Sequence, residues 1–242
     1  MKKYNLITVL YSILLILSGC SGSTGERETI SLNGTWQIAG GKKDIIPPVY
    51  NHTITVPGLV TLAEPAIENA APSVPDRYSD RNPNKYYPQQ DSVRDAYWYR
   101  RMVTISKKVP EVALLKVGKA MFGTKVYVNG ALVGEHLPSF TPGYFDLKNF
   151  LVKGDNELVI AVGSCRNSLP SDVPDGFDYE KVKYISGIYD NVDLILSGTP
   201  FIKNVQVAPD VKNMQARVQA VLVNPGEANS SAEVHLPFSY QR

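Results

Sequence analysis

The sequence of 242 residues contains few of the residues from which disulfides and metal sites are built. It has two cysteines, Cys20 and Cys165, and three widely separated histidines, His52, His136 and His235. Zinc sites need several such ligands at short, regular spacings, which this sequence does not provide. It also lacks a phosphate-binding loop, a dinucleotide-binding fingerprint and a Gly-x-Ser-x-Gly nucleophile motif. We therefore expect neither a metal nor an organic cofactor.

The sequence also lacks an excess of charge of one sign. It holds 25 basic and 23 acidic residues, and two of the basic ones, Lys2 and Lys3, lie in a segment predicted to be removed. The mature chain would then be close to neutral, without a basic stripe. Because nucleic-acid binding depends on such a stripe, a nucleic-acid partner is not expected.

Long hydrophobic runs are absent except for one near the N-terminus, Leu6 to Leu17. This run of about 12 residues is shorter than the roughly 20 that cross a bilayer as a helix, and it follows two lysines. These features predict a signal peptide over residues 1–19.

The four residues "LSGC", ending at Cys20, resemble the lipobox of bacterial lipoproteins, in which the cysteine becomes the lipidated first residue. The resemblance implies lipidation of Cys20, a tether over residues 20–27 and a lipid anchor in the bacterial cell envelope, in the periplasm or outer membrane. The alternative is an ordinary secreted protein in which Cys20 occurs by coincidence. If Cys20 is acylated, Cys165 has no disulfide partner, and we expect it to be a small core or edge residue rather than a nucleophile.

From Ile30 onward, short apolar or alternating runs are separated by Gly, Pro, Asn and Asp, a pattern typical of an all-β sandwich. Both tryptophans, Trp36 and Trp98, lie in strand patterns and are expected to be core residues. The predicted strands are GTWQIA, HTITVP, AYWYRRMVTI, ALLKVGKA, TKVYVNG, ALVGEH, YFDL, NELVIAVGS, NVDLILS and FIKNVQVAPDV.

The stretch "KVYVNGALVGEH" predicts a hairpin with a type I′ turn at Asn129-Gly130, since both positions tolerate positive φ. That turn pairs Val128 with Ala131 and would place Val126 opposite Val133. Both faces of the hairpin are largely apolar, so we expect it inside the sandwich.

Two long loops interrupt the strand pattern, at residues 63–96 and 166–183. Loops of this length in a compact domain are often functional. Carboxylates accept hydrogen bonds from hydroxyl groups and aromatic rings pack on the apolar faces of sugars, so acidic and aromatic loop residues suit carbohydrate binding. The alternative for each loop is a solvated connection. The candidate ligand-binding residues are Asp175, Asp178, Tyr179 and Glu180.

After residue 199 the pattern changes to about three strands, and an immunoglobulin-like sandwich needs about seven. We therefore predict a first domain over residues 28–198 and an incomplete immunoglobulin-like domain over residues 200–242.

Six motifs follow one another in the chain: LNGTWQI (32–38), TVPGLV (55–60), YWYRRMVTI (97–105), KVYVNGALVGEHLPSFTPGYFDL (125–147), KGDNELVIAV (153–162) and SGIYDNVDLIL (186–196). In sequence and in order they resemble the N-terminal sugar-binding domain of glycoside hydrolase family two, which includes β-galactosidases, β-glucuronidases and β-mannosidases. The resemblance implies a galactose-binding-like jelly-roll sandwich, followed by an immunoglobulin-like domain and a catalytic TIM barrel.

The family's catalytic glutamates belong to the barrel, so the resemblance implies no catalytic residue in this chain. The leading expectation is a non-catalytic sugar-binding portion of an exo-glycosidase, with carbohydrate as its ligand and a separately encoded barrel as a possible partner. A carbohydrate-binding surface lipoprotein is the alternative. An interaction module that pairs through a strand edge at "AEVHLPFSY" (residues 232–240) also stays open.

Overall fold

The computed structural model describes residues 27–70, 94–174 and 185–224. Within these ranges the chain forms β-strands and short 3-10 turns at Val60–Leu62 and Arg166–Ser168, without an α-helix. In this part of the chain no helix is long and apolar enough to cross a membrane. The strands are β1 (Glu28–Ser31), β2 (Gly34–Gly41), β3 (His52–Val56), β4 (Gly58–Leu59), β5 (Ala96–Ile105), β6 (Val112–Val117), β7 (Ala120–Met121), β8 (Thr124–Val128), β9 (Ala131–His136), β10 (Gly143–Asp146), β11 (Gly154–Gly163), β12 (Gly187–Ile188), β13 (Val192–Ser197), β14 (Phe201–Asp210) and β15 (Gln215–Val223).

The strands form a six-stranded sheet in the order β3-β2-β5-β11-β8-β9 and a four-stranded sheet in the order β1-β13-β6-β10. A small sheet, β4-β12-β7, and a two-stranded ribbon, β14-β15, complete the described structure. All pairings are antiparallel, and β1 joins β13 with Glu28 opposite Leu196. The predicted strands are thus confirmed, except that ALLKVGKA divides into β6 and β7.

One hydrophobic core lies between the six-stranded and four-stranded sheets. Side chains alternate along each strand, so every second residue faces this core. Trp36 of β2 is 1% exposed, and its indole N–H donates to the Leu32 carbonyl at 2.8 Å. The predicted all-β sandwich is confirmed. Facing strands of both sheets contribute buried residues, among them Ile38, Tyr99, Val126, Ile160, Leu115, Phe145 and Leu194.

The outer face of the six-stranded sheet is covered by the segment between β2 and β3, residues 42–51, which we call the outer strap. Trp98 of β5 lies beneath it, fully buried, and donates its indole N–H to the Lys42 carbonyl at 3.1 Å. Ile46 and Tyr50 of the strap pack on this side of the sheet. Both tryptophans are therefore core residues, as predicted.

The Asn129-Gly130 turn forms as predicted, with φ of 51° at Asn129 and 81° at Gly130. The register of the hairpin differs from the prediction, because Val126 pairs with Gly134 and the bulged β9 leaves Val133 without a partner. Its position differs too: β9 is the edge strand of the sheet, and Leu132 is 54% exposed. Only β8 lies inside the sandwich.

The ribbon β14-β15 differs from the sandwich in its burial. Phe201, at its start, packs on Val112 and Ile195 of the four-stranded sheet, whereas almost all the other ribbon residues are exposed. The change of pattern after residue 199 therefore coincides with a change in packing. The assignment of residues 200–242 to an incomplete immunoglobulin-like domain stays a prediction, and residues 232–240 lie outside the described part.

Candidate functional site

The candidate ligand-binding residues Asp175, Asp178, Tyr179 and Glu180 lie outside the described residues, and so does Cys20. The structure describes the ends of the segments around them. The ranges 71–93 and 175–184 adjoin described residues at one end of the six-stranded sheet. We call this the loop end.

At the loop end β5 and β8 begin, and β9 and β11 end. Gly163 pairs with Ala96, Val162 with Thr124, and Thr124 in turn with His136. Because neighbouring strands are antiparallel, the connections that leave them here are brought close together. The described bases of the two loops that the sequence identified are therefore neighbours in space.

The bases of the two loops are joined at Asp95. Its carbonyl accepts hydrogen bonds from the Ser164 backbone N–H at 3.0 Å and from the Ser168 hydroxyl at 2.9 Å. Its own N–H donates to the Gly41 carbonyl at 3.0 Å. The backbone at Asp95 is thus fixed to two other segments, and its side chain begins from a defined position.

Arg94 holds the base of the first loop. Its guanidinium donates to the carbonyls of Glu68 at 2.8 Å and Asn69 at 3.3 Å, and lies 5.3 Å from the centre of the Tyr97 ring. The Tyr97 hydroxyl donates to the Ala70 carbonyl at 3.4 Å. Residues on both sides of the range 71–93 are therefore tied together.

Arg166 holds the base of the second loop. Its Nη1 donates to the carbonyls of Leu169 and Pro170 at 3.2 and 3.0 Å, and its Nη2 to those of Ser171 and Val173 at 3.1 and 3.2 Å. A planar guanidinium suits this task because its donors diverge in a fixed geometry. The backbone from Leu169 to Val173 is thereby held by one side chain.

An open cleft of about 150 Å³ lies at the loop end. The small residues Ala96, Ala161 and Gly163 are part of its lining. Trp98, two residues after Ala96 on β5, is bulky and pairs with Ala161. Gly163 has no room for a larger residue, because a Cβ there would stand 2.5 Å from the Phe122 carbonyl oxygen. Phe122, Leu137, Leu169 and Pro170 form an apolar wall, and Lys43, Asp95, Thr124, Lys125, Glu135 and Ser168 are the polar lining residues.

The charges around the cleft are mixed. Lys125 and Glu135 are cross-strand neighbours, and the Lys125 ammonium also contacts Asp44 of the outer strap at 2.6 Å. This hydrogen bond to Asp44 raises the pKa of Lys125. The lysine side chain therefore links the strap to one side of the cleft.

Cys165 is a buried free cysteine, 3% exposed, which agrees with the expected small core or edge residue. Across the described ranges, no group of three His, Cys, Asp or Glu side chains could hold a metal ion. The sequence indicated both loops but missed the cleft itself. Arg94, Asp95, Arg166 and Ser168 lie within the stretches it identified, yet their roles depend on contacts between distant segments.

Two antiparallel sheets that pack on one core define the described part of the chain as a β-sandwich, with a cleft of mixed polar and apolar lining at one end. The family model described as "Glycosyl hydrolases family 2, sugar binding domain" matches residues 20–200. The chain belongs to this family, and the resemblance noted in its sequence is confirmed.

Two curated relatives illustrate the similarity. A β-galactosidase of Thermoanaerobacter pseudethanolicus is 27% identical over 154 residues, which cover 63% of this chain and 20% of the relative. A β-glucuronidase of Streptococcus agalactiae is 32% identical over 147 residues, which cover 60% of this chain and 21% of the relative. The chain thus spans about a fifth of the length of these relatives.

A solved structure agrees with the fold. The β-D-glucuronidase of Dictyoglomus thermophilum aligns with a TM-score of 0.53 and 22% identity, over 83% of this chain and 33% of that one. The similarity supports the β-sandwich described above.

Proposed function

We propose that this chain is the carbohydrate-binding, non-catalytic portion of a family 2 exo-glycosidase that acts on oligosaccharides. The observation that carries the proposal is the match of residues 20–200 to the sugar-binding domain of that family. The named activities of the relatives, β-galactosidase and β-glucuronidase, suggest the class of glycoside.

In this proposal the chain binds and positions sugar, and a catalytic barrel outside these residues cleaves it. A retaining glycosidase needs two carboxyl groups about 5–5.5 Å apart, one as nucleophile and one as acid and base. We assign both to the barrel. Arg166 holds the described base of the loop that contains Asp175, Asp178, Tyr179 and Glu180, and we propose these four as the residues that contact a sugar or the barrel.

A titration of the full chain tests the proposal. Isothermal calorimetry with methyl β-D-galactopyranoside and with D-glucuronate should give saturable binding to at least one sugar at millimolar concentration. The corresponding p-nitrophenyl glycosides should not be hydrolysed by the chain alone. The absence of binding to either sugar would reject the carbohydrate-binding role, and hydrolysis would reject the non-catalytic one.

The catalytic partner can be sought separately. The DNA next to the coding region should contain a TIM barrel with two glutamate motifs, in frame or after a frameshift. Mixing the chain with that barrel should then raise hydrolysis above the rate of the barrel alone. The absence of such a coding region would argue against a barrel encoded nearby.

We also propose that Cys20 is lipidated and that the protein is anchored in the bacterial cell envelope. The support is the short apolar run that ends in LSGC. Globomycin should cause the unprocessed precursor to accumulate, and Cys20→Ala should release the protein from the membrane fraction. A wild-type protein that is freely soluble would contradict the anchor.

A surface lipoprotein that holds glycans without hydrolysing them is the second candidate function. The observation in its favour is that residues of this chain alone form a cleft with both polar and apolar lining. Glycan binding by the full chain together with no effect on any neighbouring barrel would favour this alternative.

A further inference from the structure

We infer that the cleft at the loop end is itself a binding site for one neutral hexose ring, in which Asp95 accepts hydrogen bonds from sugar hydroxyls. The inference rests on the proposed carbohydrate-binding function. It adds a location within the described residues and a preference for uncharged sugars.

Asp95 provides the main support. Asp95 is a lining residue of the cleft, and its Oδ1 is shielded from water without a hydrogen-bond partner among the described residues. An unsatisfied buried polar atom costs roughly 1–3 kcal/mol, so its presence in a folded domain needs a reason. Hydroxyl donors to a carboxylate form short, strong hydrogen bonds. Because this oxygen is buried, a sugar hydroxyl would reach it once the Asp95 side chain turns towards the cleft, and the resulting hydrogen bond would satisfy it.

The position of Asp95 is fixed in advance. Its backbone is bonded to Gly41 at the end of β2 and to Ser164 and Ser168 in the segment that follows β11. A binding group held in this way loses little conformational entropy when a ligand arrives. These backbone hydrogen bonds hold Asp95 in place before a ligand binds, as a binding site requires.

The size and lining of the cleft limit the ligand to one ring. The cleft has a volume of about 150 Å³. Pockets that bind drug-sized molecules are larger, at about 300–1,000 Å³. Space for the ring is left by the small residues Ala96, Ala161 and Gly163. An apolar surface for the C–H face of a pyranose is formed by Leu137 and Leu169. The polar groups opposite are suited to its hydroxyls.

The charge balance favours a neutral sugar over a uronate. The charged lining residues are Lys43, Lys125, Asp95 and Glu135, two of each sign. The Lys125 ammonium is already engaged by Asp44 at 2.6 Å. A ligand carboxylate would meet the unpartnered Asp95 oxygen, and like charges in a partly shielded site repel each other. A hydroxyl meets no such penalty.

Amide chemical-shift mapping on the full ¹⁵N-labelled chain at pH 7 tests the location. The probes are methyl β-D-galactopyranoside, methyl β-D-glucopyranoside, methyl β-D-mannopyranoside and D-glucuronate. At least one neutral hexoside should shift the amides of Ala96, Thr124 and Gly163 more than those elsewhere, and should bind at least tenfold more tightly than D-glucuronate. Asp95→Ala should weaken that hexoside at least tenfold. Asp155→Ala, at the opposite end of β11, is the matched control and should leave affinity unchanged.

The outcomes separate this inference from the function on which it rests. Binding with the largest shifts away from the loop end, or unchanged by Asp95→Ala, would overturn the cleft site while carbohydrate binding stands. Equal or tighter binding of D-glucuronate would overturn the preference for neutral sugars. No binding of any probe at tens of millimolar would overturn both proposals. If Asp95→Ala melts well below the wild-type protein, the wild-type shift map alone decides the location.

Discussion

Asn129 donates a hydrogen bond from Nδ2 to Oδ1 of Asn156 at 3.0 Å, which joins the β8-β9 turn to the start of β11. The same Nδ2 reaches the Phe150 carbonyl at 3.1 Å, and the Asn129 Oδ1 accepts the Glu157 N–H at 2.9 Å. Asn156 is fully buried and bonds the backbone of Val152 in both directions. The turn residue is therefore part of a network that closes the end of the sandwich opposite the loop end.

This network predicts a graded loss of stability at the turn. Asn129→Gly keeps a residue suited to φ of 51° but removes the side-chain hydrogen bonds, and should cost about 1 kcal/mol. Asn129→Ala adds the strain of positive φ and should cost about 2 kcal/mol. Urea unfolding gives the free energies.

Gly130→Ala is the control for strain alone at the same turn. A Cβ at this glycine would have no atom within 4 Å, so the substitution causes no steric clash. Only the strain of an alanine at φ of 81° remains, and it should lower the free energy of unfolding by about 1 kcal/mol. A neutral Asn129→Gly would show that the side-chain bonds add nothing to stability.

Arg166 should control the order of the second loop more than the stability of the sandwich. Arg166→Lys keeps the charge but cannot reproduce the divergent donors that reach four carbonyls. We expect faster limited proteolysis and faster hydrogen exchange within residues 169–173, with a small change in melting temperature. Arg217→Lys, on the exposed ribbon, should behave like the wild-type protein. Unchanged proteolysis in Arg166→Lys would contradict the assigned role.

Tyr50 should make the protein less stable at high pH. Burial, with a further contribution from the nearby Glu157 carboxylate, raises the pKa of Tyr50 to about 12 from an ordinary value of 10.0. The folded state therefore holds this proton more tightly than the unfolded state does. The stabilisation is complete below pH 10 and is lost as the pH rises towards 12.

Tyr50→Phe should flatten this pH dependence. The Tyr50 hydroxyl is buried without a hydrogen-bond partner among the described residues, so its removal should leave stability at pH 7 unchanged or slightly higher. Urea unfolding of both proteins at pH 7, 9, 10 and 11 measures the effect. Equal slopes between pH 9 and pH 11 would refute the contribution of Tyr50.

The fluorescence of the two tryptophans should not respond to sugar binding. Trp36 is 1% exposed, Trp98 is 0% exposed, and neither can stack on a ligand without unfolding. Acrylamide should quench their fluorescence weakly, and saturating sugar should change it little. The Trp98→Phe variant isolates the signal of Trp36. Strong acrylamide quenching of the native protein would contradict this burial.

Features that depend on local chemistry could be predicted from the sequence. Asn129-Gly130 specified its turn because positive φ is a property of those two residues, and Trp36 and Trp98 were recognised as core residues from the strand patterns around them. The edge position of β9 could not be predicted, because it depends on which strands pair with β8 and β11. The bulge at Val133 likewise depends on register rather than composition.

The candidate site was predictable only as a pair of loops. Asp95 gains its role from Ser168, which lies 73 residues away, and the cleft exists because the small residues Ala96 and Ala161 lie on neighbouring strands. Sequence patterns report spacing along a strand, whereas such a cavity is formed by side chains from several strands at once.

The pairing of Glu28 with Leu196 has a mechanical consequence. The chain enters and leaves the sandwich at one corner, so tension between the incoming and outgoing segments would load the β1-β13 ladder one hydrogen bond at a time. Such a ladder opens like a zipper and resists less force than one sheared along its length. Under load from both directions, β1 would separate first while the six-stranded sheet and its cleft stayed folded.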